Sequence, residues 1–150
     1  MKNYILKIKL TCFDPKIWRE IEISEEANLD DLHLAIQKAF DFYNDHLYSF
    51  FMDGKMLRSE EEYTIREPEG EADLKSGMAR FKGFTDEKKM KDLNLKVKQK
   101  FIYLYDFGDN LDFEIVVKEI KNVDKLLIKP KVINSQGDAP DQYEIRGCEE

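Results

Sequence analysis

The sequence has few of the residues that mark secreted, fibrous or membrane-spanning chains. Its 150 residues include two cysteines, seven glycines and four prolines, too few for a disulfide scaffold, a collagen-like chain or a linker. Its apolar runs are only a few residues long, whereas a transmembrane helix needs about 20. Charged and apolar residues alternate from the start, with no apolar leader. We therefore expect a reduced, cytoplasmic protein with no membrane partner.

What is present is typical of one packed domain. Hydrophobic residues make up 42% of the chain and aromatic residues 12%, which is enough for a hydrophobic core at this length. The formal net charge is −7, and an acidic protein repels phosphate backbones, so nucleic acid is disfavoured as a partner. One basic stretch is interpreted as a solvated face, with phosphate binding as the alternative. Its lysines are Lys88, Lys89, Lys91, Lys96, Lys98 and Lys100.

The first 40 residues show both periodicities of regular structure. Apolar and charged residues alternate over residues 4–10 and 17–23, which predicts two strands paired as a hairpin. Asn28 and Asp31 have the spacing of a capping box. Apolar residues then recur at helical spacing up to Phe40. This pattern predicts a helix of about three turns packed on the hairpin.

The rest of the chain predicts further strands separated by loops. Apolar and aromatic runs predict strands at residues 46–52, 101–105 and 111–120. Residues 59–90 are interpreted as a long loop holding one short strand or helix. Residues 134–140 are rich in turn-forming residues and are interpreted as loop.

This order of elements predicts a single-domain α+β fold. A β-hairpin crossed by one main helix, on a mixed or antiparallel sheet, indicates a β-grasp-like arrangement. We predict one domain over residues 1–130, followed by a C-terminal tail over residues 131–150.

Aromatic residues are concentrated in two windows. Eleven of the 18 lie in residues 40–51 and 101–113. Packing of these rings across strands in the core is the simpler interpretation. An exposed aromatic binding face is the alternative.

The bend after residue 105 gathers four carboxylates within nine residues, Asp106 and Asp109 among them. Aspartate forms turns readily, and carboxylates also bind hard cations. The two histidines, His33 and His46, would join such a site only if folding brought them together. No nucleophile elbow, phosphate-cradling glycine loop or His-Glu-x-x-His motif is present. We therefore expect no cofactor and no metal.

Four motifs occur in order along the chain. They are Pro15-Lys16-Ile17-Trp18-Arg19, Leu29-Asp30-Asp31-Leu32-His33-Leu34-Ala35-Ile36-Gln37, His46-Leu47-Tyr48-Ser49-Phe50 and Tyr103-Leu104-Tyr105-Asp106-Phe107-Gly108-Asp109. Together they resemble the plasmid pRiA4b ORF-3-like family, whose pattern reads Pro-x-Ile-Trp-Arg, Leu-His-x-x-Ile-Gln, His-Leu-His-x-Phe and Tyr-Asp-Phe-Gly-Asp-x-Trp-x-His. The resemblance implies an α+β domain found on plasmids, in bacterial and archaeal genomes and as a passenger of insertion elements.

The chain also departs from the family pattern. Tyr48 and Phe113 stand where the pattern has histidine, and Leu111 stands where it has tryptophan. The C-terminal segment of the family, rich in cysteine, glycine and proline, is reduced here to a short tail. These departures argue against a zinc site in this chain.

We interpret the chain as a small binding domain rather than an enzyme, with a protein as its partner. The expected working surface combines the end of the predicted helix with the bend at residues 105–110. The alternative is a metal-dependent hydrolase or nuclease-like enzyme using His33, His46, Asp106 and Asp109. The sequence does not specify an oligomeric state. The candidate binding residues are Trp18, Arg19, His33, His46, Asp106 and Asp109.

Overall fold

The structure is a computed structural model that describes residues 1–11, 16–108 and 111–142. Residues 12–15, between the two strands of the predicted hairpin, lie outside this part of the chain. No helix among the described residues is long and apolar enough to cross a membrane. The described elements follow one another as β1 (Lys2–Leu10), β2 (Trp18–Ser24), α1 (Leu29–Ala39), β3 (Tyr48–Phe51), β4 (Glu62–Thr64), α2 (Pro68–Ser76), β5 (Gly83–Phe84), a 3₁₀ turn (Met90–Leu93), β6 (Lys100–Tyr105), β7 (Leu111–Asn122) and β8 (Lys131–Gln136).

All eight strands of the described chain form one mixed sheet. Its order is β5-β4-β3-β6-β7-β1-β2-β8, and its neighbours are antiparallel except for the parallel pair β4 and β5. The predicted single-domain α+β fold is confirmed. The β-grasp-like arrangement is not confirmed, because β1 lies between β7 and β2 and runs antiparallel to both.

The predicted hairpin of β1 and β2 is confirmed, and its alternation decides which face is buried. Leu6 pairs with Ile21, and both are fully buried. Their sequence neighbours Lys7 and Glu20 also pair, but on the opposite face, because side chains alternate along a strand. The apolar face of the hairpin therefore joins the core on which α1 packs.

α1 begins at a capping box and ends in a Schellman motif. The Asn28 side chain accepts from the Asp31 N–H at 2.7 Å, and the Asp31 side chain accepts from the Asn28 N–H at 3.0 Å. The predicted cap is therefore confirmed. At the other end, the Phe42 N–H donates to the Gln37 carbonyl at 2.8 Å. Asp41 adopts the left-handed φ of 57° that this ending requires.

The two aromatic windows build the core rather than an exposed face. Tyr103 packs at its centre, with ring centroids 4.9 Å from Phe50 and 5.4 Å from Phe113. The predicted cross-strand packing is thus confirmed for most of these rings. Tyr43 and Phe107 are exceptions, since 62% and 42% of their surface is exposed.

The region between β3 and β6 holds more regular structure than the sequence predicts. β4, α2, β5 and the 3₁₀ turn all lie there, and the Leu29 N–H donates to the Lys88 carbonyl at 3.0 Å, which ties the region to the start of α1. The prediction of a long loop at residues 59–90 is therefore wrong. β4 and β5 are only three and two residues long, and α2 buries none of its residues. Such elements leave no apolar periodicity to read.

β8 corrects the prediction of loop at residues 134–140. Residues 134–136 pair with β2, with Gln136 opposite Trp18 and Ser135 opposite Arg19. Every residue of β8 is exposed, so the strand has no buried face and no alternation by which the sequence would reveal it. A strand of the sheet therefore lies within the predicted C-terminal tail.

Candidate functional site

His46 lies between two carboxylates beside the end of β6. Its Nε2 is 3.5 Å from Asp45 Oδ1 and 3.5 Å from Asp106 Oδ2. The edge of the Tyr105 ring meets the imidazole with centroids 5.8 Å apart. Of the predicted site residues, the structure thus brings together His46 and Asp106 and adds Asp45 to them.

The bend after β6 is held by backbone bonds that place Asp106. Its N–H donates to the Leu47 carbonyl at 2.9 Å, and its Oδ1 accepts from the Gly108 N–H at 3.1 Å. Asp106 has a left-handed φ of 65°, which aspartate tolerates because its side chain bonds its own turn. The predicted turn is confirmed as far as Gly108, and the second carboxylate oxygen of Asp106 faces His46. Asp109 lies outside the described residues.

Asp45 is positioned by the hydroxyl of Tyr105. That hydroxyl donates to Asp45 Oδ1 at 2.7 Å and accepts from the Asp45 N–H at 2.7 Å. Gln142 Nε2 donates to the same carboxylate oxygen at 2.8 Å. Burial, together with the adjacent Asp45 carboxylate, raises the pKa of Tyr105 to about 12. Tyr105 therefore remains a neutral donor and Asp45 a fixed acceptor.

His33 is buried on the inner side of Tyr105, and both its ring nitrogens have partners. Nδ1 is 2.6 Å from the Tyr103 hydroxyl, and Nε2 is 2.6 Å from Asn44 Oδ1. Gln37 Nε2 donates to the same Tyr103 hydroxyl at 2.9 Å. One proton arrangement satisfies all these contacts, with Tyr103 donating to Nδ1 and Nε2–H donating to Asn44. This arrangement is a neutral imidazole.

The surroundings of His33 disfavour its charged form. Burial lowers the pKa of His33 below its ordinary value, although Asn44 and Asp30 oppose the shift. Burial likewise raises the pKa of Tyr103. Only 1% of the His33 surface is exposed, so no solvent-borne partner reaches it in this conformation. His33 therefore packs and organises the core instead of presenting a ligand.

The positions where this chain departs from the family pattern also lie in the core. The rings of Tyr48, His33 and Phe113 lie 5.9, 5.8 and 5.4 Å from the Tyr103 ring. Of these, Tyr48 and Phe113 stand at positions that are histidine in the family pattern. Within residues 1–11, 16–108 and 111–142, no group of three histidine, cysteine or acidic side chains is placed to hold a metal ion. The arrangement here is a packed aromatic cluster.

Three exposed apolar side chains accompany His46. Tyr43 and Leu47 flank it in sequence, with 62% and 39% of their surface exposed, and Phe107 follows Asp106 with 42% exposed. The bond from Asp106 to Leu47 holds the two segments together. We call Tyr43, Asp45, His46, Leu47, Asp106 and Phe107 the His46 surface. Tyr43 and Leu47 are not among the predicted site residues, because exposure of a loop side chain leaves no periodic signal in the sequence.

The other two predicted site residues lie elsewhere. Arg19 is buried, and its guanidinium donates to the carbonyls of Ala39, Trp18 and Gln136 at 3.1, 2.9 and 3.0 Å. It therefore joins the end of α1 to β2 and β8. Trp18 precedes Arg19 on β2 and so lies on the opposite face of the sheet.

The basic stretch is divided among several contacts. Lys89 and Lys91 both pair with Glu26, at 2.9 and 2.8 Å, and this pairing lowers the pKa of Glu26 to about 2. Lys88 Nζ lies 5.4 Å from the centroid of the Tyr63 ring. Two of the six lysines are thus engaged in surface ion pairs. Phosphate binding by this stretch stays a prediction.

These features define an α+β domain in which α1 packs on one face of a single sheet. Its aromatic core surrounds the buried His33, and the exposed His46 lies on a surface formed by loops. The chain belongs to the plasmid pRiA4b ORF-3-like protein family, whose profile matches residues 2–148. No curated protein matches the sequence. A solved structure, that of MM3350, a protein of unknown function from Methanosarcina mazei Go1, is similar in fold. It is 23% identical, with a TM-score of 0.74, and the match covers 97% of this chain and 75% of that one.

Proposed function

We propose that the protein is a non-enzymatic binding domain whose partner is a protein segment carrying a basic side chain beside apolar ones. The observation that carries the proposal is the position of His46, between two carboxylates and on a pair of hydrogen-bonded loops that carry three exposed apolar side chains. Membership of the family named for a plasmid protein supports a cytoplasmic role associated with plasmids or insertion elements.

The apolar part of the His46 surface supplies contact area. Tyr43, Leu47 and Phe107 lie on two loops that are hydrogen-bonded to each other. Several exposed aromatic and aliphatic side chains on adjoining loops are typical of protein interaction sites. Their burial by a partner would remove apolar surface from water, which favours association.

The acidic part of the surface supplies charge selectivity. The carboxylates of Asp45 and Asp106 are fixed by hydrogen bonds from Gln142 and Gly108, so they do not need to be ordered when a partner binds. A chain with a net charge of −7 also attracts a basic partner at long range. A lysine or arginine beside apolar residues is therefore the complementary segment.

Peptide display tests this proposal although the natural partner is unidentified. A random peptide library is selected on the wild-type protein, and enriched peptides are measured for affinity to purified variants. We expect enrichment in peptides that combine arginine or lysine with aromatic or aliphatic residues. The double variant Leu47→Ser/Phe107→Ser should weaken these peptides by about tenfold or more, since each lost apolar anchor costs over about 1 kcal/mol at a hot spot.

A matched control uses apolar residues with similar or greater exposure elsewhere. Leu57→Ser/Ile128→Ser changes side chains that are 87% and 91% exposed and should leave the affinities unchanged. The circular dichroism spectrum and melting temperature of each variant establish that it is folded. The proposal is wrong if the selected peptides lack basic residues or bind both double variants as tightly as the wild type.

A further inference from the structure

A second surface, on the sheet face opposite α1, gathers five lysines around the single tryptophan. They line a hollow of about 300 Å³ with Glu114 and Val116, and we call it the Trp18 concavity. Its cations come from β1, the segment before β2, β6 and β7, so no single stretch of sequence reveals it. The six residues that matter are Trp18, Lys7, Lys9, Lys16, Lys100 and Lys118.

The pairing of the strands explains how these side chains meet. Val116 on β7 is opposite Lys100 on one side and Lys7 on the other. Lys9, two residues along β1 on the same face, is opposite Trp18. Adjacent strands lie about 4.8 Å apart, so the band from β6 to β2 is about 14 Å wide. The cations therefore form a band across four strands rather than a single point charge.

The charges of this band are available to an anion. Five lysines and one carboxylate, that of Glu114, line the hollow, although the whole chain is acidic. Glu20 lies beside Lys7, at its paired position on β2. Among the residues that the structure describes, no ion pair involves any of these five lysines. Lys89 and Lys91 differ in this respect, since Glu26 binds both. A concave cluster of like charges concentrates counter-ions at the surface.

Trp18 gives the band a second chemical property. Trp18 is partly exposed, and Lys7 Nζ lies over its ring, 4.5 Å from the centroid. An aromatic platform set among lysines is the combination by which proteins bind single-stranded nucleic acid, because bases stack on the ring while cations contact phosphates. In a duplex the bases are already stacked on one another, so their faces are not available to stack on Trp18.

We propose that the Trp18 concavity binds single-stranded nucleic acid, with one base stacked on Trp18 and the neighbouring phosphates held by the surrounding lysines. This site is separate from the His46 surface and does not depend on the protein-binding function proposed above. The basic band is local, and only Lys100 of the Lys88–Lys100 stretch takes part in it.

The single tryptophan makes binding directly observable. A ten-nucleotide oligo(dT) is titrated into the wild-type protein while tryptophan fluorescence is recorded, and a fluorescein-labelled copy gives the affinity by anisotropy. We expect quenching of Trp18 on binding, and an affinity that falls steeply between about 50 mM and about 200 mM salt as counter-ions are released. A duplex of the same length should bind more weakly.

Two kinds of variant separate stacking from charge. Trp18→Ala should weaken binding about fivefold or more, and Trp18→Phe should recover part of the loss because a ring is restored. Lys100→Gln/Lys118→Gln should weaken binding at low salt. It should also reduce the slope of log affinity against log salt by about 1.4, which is about 0.7 for each lost phosphate contact.

Lys125→Gln/Lys129→Gln is the matched control, since it removes the same charge from exposed lysines outside the concavity. It should leave the affinity within about twofold of wild type. Absence of binding at low salt would overturn the proposal. Three other results would also overturn it: equal affinity for duplex and single strand, equal loss of affinity in the two double-lysine variants, or unchanged affinity in Trp18→Ala. Each of them would indicate no more than a general attraction between the protein and a polyanion.

Discussion

The imidazole of His33 lies flat on the ring of Tyr48, with centroids 3.6 Å apart and planes 3° apart. Tyr48 in turn donates to Asp30 Oδ1 at 2.5 Å and contacts Thr85 Oγ1 at 2.7 Å. One histidine thus joins α1 to β3 by stacking and to β6 through the Tyr103 hydroxyl. Because burial and the hydrogen bond that Nδ1 accepts from Tyr103 both favour the neutral ring, protonation of His33 acts against the fold.

Stability should therefore depend on pH through His33. Its pKa in the folded protein is lowered by burial, so as pH falls below about 6.5 the unfolded state takes up the proton first. The stabilisation from neutral His33 is complete above about pH 6.5 and is lost as the pH falls toward the pKa of His33 in the folded protein. Over this range the free energy of unfolding decreases by up to about 1.4 kcal/mol per pH unit. Urea unfolding at pH 7.5 and 5.5 measures this loss.

Two variants assign the effect to its residue. His33→Gln should be less stable at pH 7.5, but its stability should fall less between the two pH values than that of the wild type. His46→Gln, on the exposed histidine, should retain the wild-type loss. An equal loss in wild type and His33→Gln would contradict the assignment.

Arg19 is predicted to matter for stability rather than for binding. Its guanidinium bonds three carbonyls on separate elements and lies 5.2 Å from the Phe40 ring centroid. Lysine cannot reproduce this forked geometry, so Arg19→Lys should lower the free energy of unfolding by about 1–3 kcal/mol. Arg58→Lys, at an exposed position, should change it by less than about 0.5 kcal/mol. Both values follow from urea unfolding, and similar values for the two variants would refute the structural role.

The end of α1 is a place where one substitution should stabilise the protein. Asp41 has a φ of 57°, in the left-handed region where a side chain costs about 1 kcal/mol or more. Asp41→Gly removes both this strain and a negative charge near the helix C-terminus, whereas Asp41→Ala removes only the charge. We expect the free energy of unfolding of Asp41→Gly, measured in urea, to exceed that of Asp41→Ala by about 1 kcal/mol. A more stable alanine variant would show that the strain is relieved elsewhere.

Divalent metal ions are predicted to leave stability unchanged. Both nitrogens of His33 are engaged inside the core, which removes it from the metal-binding alternative built on His33, His46, Asp106 and Asp109. A ligand that binds the folded state raises the melting temperature, so zinc, manganese and magnesium are each added to chelator-treated protein in thermal melts. We expect no rise. A rise with any metal that His46→Ala abolishes would instead favour the metal-dependent enzyme.

Local patterns in the sequence predicted the elements that have a buried face. β1, β2 and α1 each place apolar residues on one side, so alternation, helical spacing and the Asn28 cap were enough to find them. The aromatic strands β3 and β6 were found for the same reason. The exposed strand β8 was missed and the helix α2, which buries none of its residues, was not located, because an element without a buried side leaves no periodicity.

The candidate site was less predictable than the fold. The family motifs led to His33, His46, Asp106 and Arg19, but not to the different roles of these residues. His33 and Arg19 are buried and bonded within the fold, whereas His46 reaches the surface. Which motif residue faces solvent depends on packing between elements distant in sequence, and neither motif order nor residue type contains that information.

The sequence by itself determined an acidic α+β domain with few cysteines, a capped helix on a hairpin and an aromatic core, since these follow from composition and short-range periodicity. Only the tertiary structure decided that His46 meets Asp45 and Asp106, and that lysines from four separate segments surround Trp18. The physical reason is the pairing of strands. Strand register brings together residues more than a hundred positions apart, so a site built across the sheet exists only once the chain has folded.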